Sequence, residues 1–199
     1  MDYVNDLWED LLYELKKIKN PIVENVNDEI IVGSGNREAK VVFIGDDSSL
    51  YENDDLKVSP GSSGEFLFKL CDLRDIKPNN YYVTTLTKRN CKYRDFLDKD
   101  RGLLKELLDM QLSLINPKII VALGSEVANL LFAEEIDFNK LRGNVMNLVG
   151  DTEILITYDV KFAKKSRHEA GKNSKVATDF WNDLNVLKKE LDKINGASE

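Results

Sequence analysis

Two adjacent carboxylates, Asp46 and Asp47, stand directly after the apolar run 41–44 (VVFI) and Gly45. Paired acids can orient or deprotonate a water, or offset positive charge that develops on a reacting carbon. Position is what singles this pair out. The run before it is β-branched and aromatic, as in a buried strand, and ligands of open parallel α/β sheets bind just beyond the carboxyl ends of the strands. The same two residues also suit a solvated turn or a cap on a helical turn. A second chemistry-bearing stretch, residues 161–175, carries Lys161, Lys164, Lys165, Arg167, Lys172 and Lys175 against Glu169 alone. Such a cluster can neutralise phosphates.

The elements that must position these groups follow from hydrophobic spacing. Trp8, Leu11, Leu12, Leu15 and Ile18 recur at helical intervals, and Pro21 ends the pattern. Residues 30–32 form a short strand candidate ahead of the turn-rich GSGNREAK. After the strand at 41–45 comes a polar loop to about Ser63, then a helix from about Gly64. Residues 81–86 alternate like a strand, and leucines 104, 107, 108 and 112 mark a helix closed by Pro117. KIIVAL at 118–123 is a buried strand, turned by Gly124, with Ser125 able to cap the helix that follows. Two further strands are expected at 145–149 and 153–158. The basic stretch reads as a loop, and Val176, Phe180, Leu184, Leu187 and Leu191 form the stripe of a terminal helix. Strands separated by helices argue a three-layer α/β/α sandwich around a mostly parallel, four-stranded sheet.

Bulk properties bound the rest. The 199 residues suit one domain over 1–195, with 196–199 a frayed tail. No apolar run approaches the ~20 residues of a membrane span, and the acidic start MDYVNDLWEDLL lacks a basic secretory leader. A cytoplasmic monomer is expected. Cys71 and Cys91 are the two cysteines, far apart and without metal-binding spacing. The net charge of −7 is segregated, because residues 46–55 alone carry Asp46, Asp47, Glu52, Asp54 and Asp55. Contact with a polyanion is therefore a matter of where the basic residues lie.

A collinear set of motifs adds a family. GSGNREAK and VVFIG resemble the GEGNPxAK lead-in and first motif strand of family 4 of the uracil-DNA glycosylase superfamily. Gly45, Glu52, Gly61 and Gly64 keep the spacing of that family's GEAPG…ED…PFVGRAG. YVTTLTK is similar to its YITNVVK, and INPKIIVALGSEVANLL to its IxPKVIVALGxxAxxLL. LRG at 141–143, ITY at 156–158 and FWNDL complete the order.

The resemblance implies a protein that holds a flipped base in a pocket at the strand ends closed by Gly45, Thr85 and Tyr158. It assigns the water-handling acid to Asp46, or to Asp47 by analogy with the superfamily's GQDPY motif. It also shows departures. Ser59 stands where the family stacks a Phe on uracil, forfeiting ~1–3 kcal/mol of stacking. Thr85 replaces the Asn that reads the uracil edge, and Asp159, Val160 and Lys161 replace the motif His-Pro-Ser. Lys161 is a substitute donor if it turns inward and otherwise an exposed member of the basic stretch. The family's four-cysteine iron–sulfur cluster is not expected here, because Arg89 and Leu104 stand at or near two ligand positions and no Cys precedes 71. No cofactor or metal is therefore expected. The base pocket comprises Gly45, Ser59, Gly61, Thr85, Asp159 and Lys161; Lys164, Lys165, Arg167, His168 and Lys172 would contact DNA. Two readings follow. One is a diverged base-excision glycosylase with altered specificity, in which Asp159 could accept from an amino group. The other is an inactive member that binds nucleic acid, a nucleotide or a protein.

Overall fold

The structure is a computed structural model that describes residues 3–22 and 29–196. In chain order it contains α1 (Tyr3–Lys17), β1 (Ser34–Gly35), β2 (Val41–Gly45), α2 (Ser63–Leu73), β3 (Tyr81–Thr85), α3 (Asp98–Ile115) and β4 (Ile119–Leu123). Then come α4 (Ser125–Phe132), α5 (Phe138–Leu141), β5 (Val145–Val149), β6 (Thr152–Thr157), α6 (Val160–Ala170) and α7 (Lys175–Gly196). No described helix is long and apolar enough to cross a membrane.

The sheet runs in the order β1-β3-β2-β4-β6-β5. It has six strands, not four. The expected parallel unit is its centre, since β3, β2, β4 and β6 are mutually parallel. Two antiparallel edges extend it: β5 pairs back on β6 as a hairpin, and the two-residue β1 pairs with β3. The strand expected at 30–32 is absent. There the Val32 carbonyl accepts from the Thr84 hydroxyl at 2.8 Å and the Gln111 amide at 2.9 Å, so side chains take the place of a ladder. Pairing begins only at Ser34.

Side-chain alternation in the central strands builds two cores. Val42, Ile44, Ile120, Ala122, Ile154 and Ile156 face α1, α3 and α4. Val41, Phe43, Ile119, Val121, Leu123 and Leu155 face α2, α6 and α7. Each central strand is covered on both faces, which is why it reads as a continuous apolar run.

The basic stretch is a second correction. Residues 160–170 are the helix α6, not a loop, and a 3-10 turn at Gly171–Asn173 joins it to α7. Asp159 accepts from the Phe162 N–H at 2.9 Å and caps the helix; Val160 and Ala163 form its buried side. The lysines therefore ride on an ordered outer face. Gly196 ends α7 in helical conformation, and the rest of the expected tail, 197–199, lies outside the described residues.

Candidate functional site

From β2 the chain steps outward to β3, then crosses back to β4 on the other side of β2. Neighbouring connections diverge at this reversal and leave a crevice at the carboxyl ends of β2 and β4. Asp46 is placed there. A cavity of about 230 Å³ opens beside it, lined also by Lys92, Gly124, Glu126 and Asp159.

Asp46 and Asp47 are both buried but have different surroundings. Asp47 caps the 3-10 turn Ser48–Leu50. Its Oδ1 accepts from the Ser49 N–H at 3.0 Å and the Ser49 hydroxyl at 2.9 Å, and its Oδ2 accepts from the Ser63 hydroxyl. Burial pushes this carboxyl up, yet the hydrogen bonds from Ser63 and Ser49 outweigh it and hold Asp47 below the usual range. Asp46 is only 6% exposed. Its Oδ1 accepts from the Tyr93 N–H at 3.0 Å, while Oδ2 is buried with no hydrogen-bond partner. The Lys92 ammonium bonds the Asp46 carbonyl and stands 3.9 Å from Oδ2. Burial pushes the Asp46 carboxyl up to about 7, against the pull of the Tyr93 N–H and Lys92, with Glu126 and Asp159 adding repulsion. Asp159 is likewise raised, chiefly by burial.

A second, larger cavity of about 460 Å³ lies on the β3 side, where Ser59, Thr85, Ser49, Tyr51 and Lys88 contribute to its wall. The Thr85 hydroxyl is already engaged there. It accepts from the Lys88 N–H at 3.0 Å and lies 3.2 Å from the Tyr51 hydroxyl, which in turn donates to the Ile31 carbonyl at 3.1 Å. Gly45, the last residue of β2, has no room for a side chain: a Cβ would sit 2.4 Å from Leu50 Cδ1. Leu50 thereby packs directly on the strand end and fixes the turn that carries the acids.

The residues singled out in the sequence thus divide between two adjoining spaces. Asp46 and Asp159 share the smaller one; Ser59 and Thr85 share the larger. Gly61, with φ +76, lies at the approach to α2, and its carbonyl accepts from Lys164. That contact ties α6 to the rim of the larger cavity. Lys161 is exposed on α6 and lines neither space. Lys165 pairs with Glu169 at 3.7 Å, Arg167 donates to the Gly171 carbonyl at 2.7 Å, and His168 and Lys172 are exposed. Sequence reasoning missed Lys88, Lys92 and Tyr93. A signal was available, because TKRNCKY begins two residues beyond the carboxyl end of β3, the same kind of position that drew attention to Asp46.

The corner where the family resemblance implies an iron–sulfur cluster does not fit one. The Arg89 guanidinium donates to the Leu15 carbonyl at 2.6 Å, and Leu104 is buried in the same core as Trp8, Leu11 and Leu15. Neither residue can supply a thiolate. Among the described residues no group of His, Cys, Asp and Glu could hold a metal.

The sequence model of the Uracil DNA glycosylase superfamily matches residues 32–185. The Type-4 uracil-DNA glycosylase of Thermotoga maritima is 24% identical over 140 residues, covering 69% of this chain and 73% of that protein. The Type-4 uracil-DNA glycosylase of Archaeoglobus fulgidus is 26% identical over 127 residues, covering 62% of this chain and 63% of that protein. The matched region takes in all six strands and most of the chain, so the chain belongs to the uracil DNA glycosylase superfamily.

Proposed function

We propose that this protein is a DNA base-excision N-glycosylase whose base specificity has moved away from ordinary uracil. The observation that carries the reading is Asp46 Oδ2, a buried carboxylate oxygen without a hydrogen-bond partner at the crevice between β2 and β4. A carboxyl that titrates near neutrality is suited to hold a water and take its proton. In this role Asp46 serves the water, and Asp47 shapes the loop that carries it.

The base then enters the larger cavity. Ser59 offers it no aromatic face, and the Thr85 hydroxyl is committed to protein partners, so recognition differs from that of an Asn–Phe pocket. Asp159, engaged as the cap of α6, lies at the other cavity and serves the reacting sugar's side rather than the base edge. The basic outer face of α6, with Lys164 at the cavity rim, would track the phosphates. The exposed Phe162 adds an apolar surface next to the site, where it packs at a tilt against Tyr158 with ring centroids 5.8 Å apart. We infer a one-domain cytoplasmic monomer acting on DNA.

Oligonucleotides carrying uracil, hypoxanthine or xanthine test the reading directly. At least one base should be released, with uracil a poor substrate. Survival of all of them in both single and double strands leaves the alternative, a nucleic-acid, nucleotide or protein binding module. Charge reversal at Lys164 and Lys165 is an independent check on the DNA face. It should weaken binding and flatten the slope of log Kd against log salt by about one to two units. Unchanged binding removes α6 from the interface.

A further inference from the structure

Lys88 is the one lysine buried among the described residues, with 2% of its surface exposed. It lies three residues beyond β3, with its backbone in the left-handed region at φ +57. Its N–H donates to the Thr85 hydroxyl at 3.0 Å and its carbonyl accepts from the Ile31 N–H at 3.2 Å. The resulting curl turns the side chain back onto the strand end, where Nζ donates to the Thr85 carbonyl at 2.7 Å. An ammonium carries three donors. Among the described residues no carboxylate pairs with this one, and it makes no other side-chain hydrogen bond. A cation held in that way is costly to the fold; burial pushes the amine down to about 7. Yet the residue lines the 460 Å³ cavity beside Ser59, Tyr51 and Thr85. Only one of its three donors meets a partner among the described residues.

We propose that Lys88 supplies the hydrogen-bond donor to the base held in the larger cavity, reaching a ring carbonyl oxygen of that base as it departs. The inference deepens the glycosylase reading and rests on it. When the bond between C1′ and the base nitrogen breaks, the electron pair stays on the base and spreads onto its carbonyl oxygens, where the Lys88 ammonium stabilises it. Water adds to C1′, and its proton passes to Asp46. An exocyclic amino group at the same point would set donor against donor, so the unmodified amino face of adenine is refused.

The other charged or titratable groups on this cavity are Glu29, Tyr51, Glu52 and Arg89, with Asp46 in the adjoining space. Asp46 must be ionised and Lys88 protonated, so excision rises with pH as Asp46 titrates and falls as Lys88 does. Lys88→Met removes the donor and the buried charge together. It should lower single-turnover release of the carbonyl-bearing base by about 10²-fold and abolish the alkaline limb. Wild-type rates and an intact alkaline limb in Lys88→Met overturn the proposal. A second measurement keeps it decidable if the wild type releases no base, an outcome that sinks the glycosylase reading itself. Free xanthine, hypoxanthine or uracil should then raise the titration midpoint of the Lys88 amine, followed by NMR of isotope-labelled lysine, whereas adenine should not. A Lys88 resonance unmoved by all of the carbonyl-bearing bases removes the lysine from base recognition.

Discussion

Asp46→Asn should remove most base-excision activity and, above neutral pH, make the protein more stable. The first effect follows from the loss of the proton acceptor beside the site where water would stand, an effect of ~10²–10⁴-fold for a positioned general base. The second follows from the folded carboxyl's raised pKa, about 7 against 3.8 for an ordinary aspartate. Between those values the folded protein binds the proton more tightly than the unfolded chain, so wild-type stability falls as pH rises from about 4 through 7. Asparagine carries no charge and escapes that penalty, while its amide oxygen still accepts from Tyr93. At about 1.4 kcal/mol per pKa unit, discounted for solvent contact through the cavity, the gain is about 2 kcal/mol. Urea unfolding at pH 8 and at pH 4 checks it: the stabilisation should be present at the higher pH and largely gone at the lower. Equal destabilisation at both would show that the carboxylate is not held at a cost, and the main physical argument for its role would go with it.

Asp183→Ala should be the most destabilising single substitution near the site, at about 3–5 kcal/mol. Asp183 is buried on α7 and receives the Arg142 guanidinium on both oxygens, each at 2.7 Å, and the Thr157 hydroxyl at 2.6 Å. Removing it strands a half-buried guanidinium and a buried hydroxyl together. Asp179, 3.4 Å from Arg142, recovers only part of the loss. The same contact accounts for the glycine in LRG. Gly143 has φ +77, and a Cβ there would stand 2.7 Å from Asp183 Oδ1, so Gly143→Ala should also destabilise, by strain and by crowding the ion pair. LRG and the aspartate of FWNDL are thus two halves of one brace that holds the end of β6, two residues before Asp159. Asp183→Asn keeps the shape and an acceptor for Thr157 and should cost clearly less than Ala in urea midpoint. Equal costs for the two would show that charge plays no part.

The central parallel strands, the helices between them and the placement of Asp46 and Asp47 beyond β2 were legible in the sequence. Strands buried on both faces advertise themselves as apolar runs, and the rule that ligands sit at their carboxyl ends needs no coordinates. The nature of α6 was locally readable as well, since Asp159 can cap and Val160 and Ala163 mark its buried side; its density of lysines obscured the helix. Edge pairing was less legible, because two residues of β1 carry almost no periodic signal.

What the sequence alone determined, then, was the scaffold, the family and the end of the sheet where chemistry belongs. Only the tertiary structure separated Asp46 from Asp47. Adjacent, identical residues differ because Ser63, 16 positions away, completes for Asp47 what the neighbouring Ser49 begins, while Tyr93, 47 positions from Asp46, occupies a single oxygen of that residue. Likewise nothing local distinguishes Lys88 from the exposed lysines of α6. Its burial results from a left-handed turn pinned to Thr85 and Ile31. Hydrogen-bond saturation and desolvation are completed by partners distant in the chain, and those two quantities decide which charged groups remain available to a substrate.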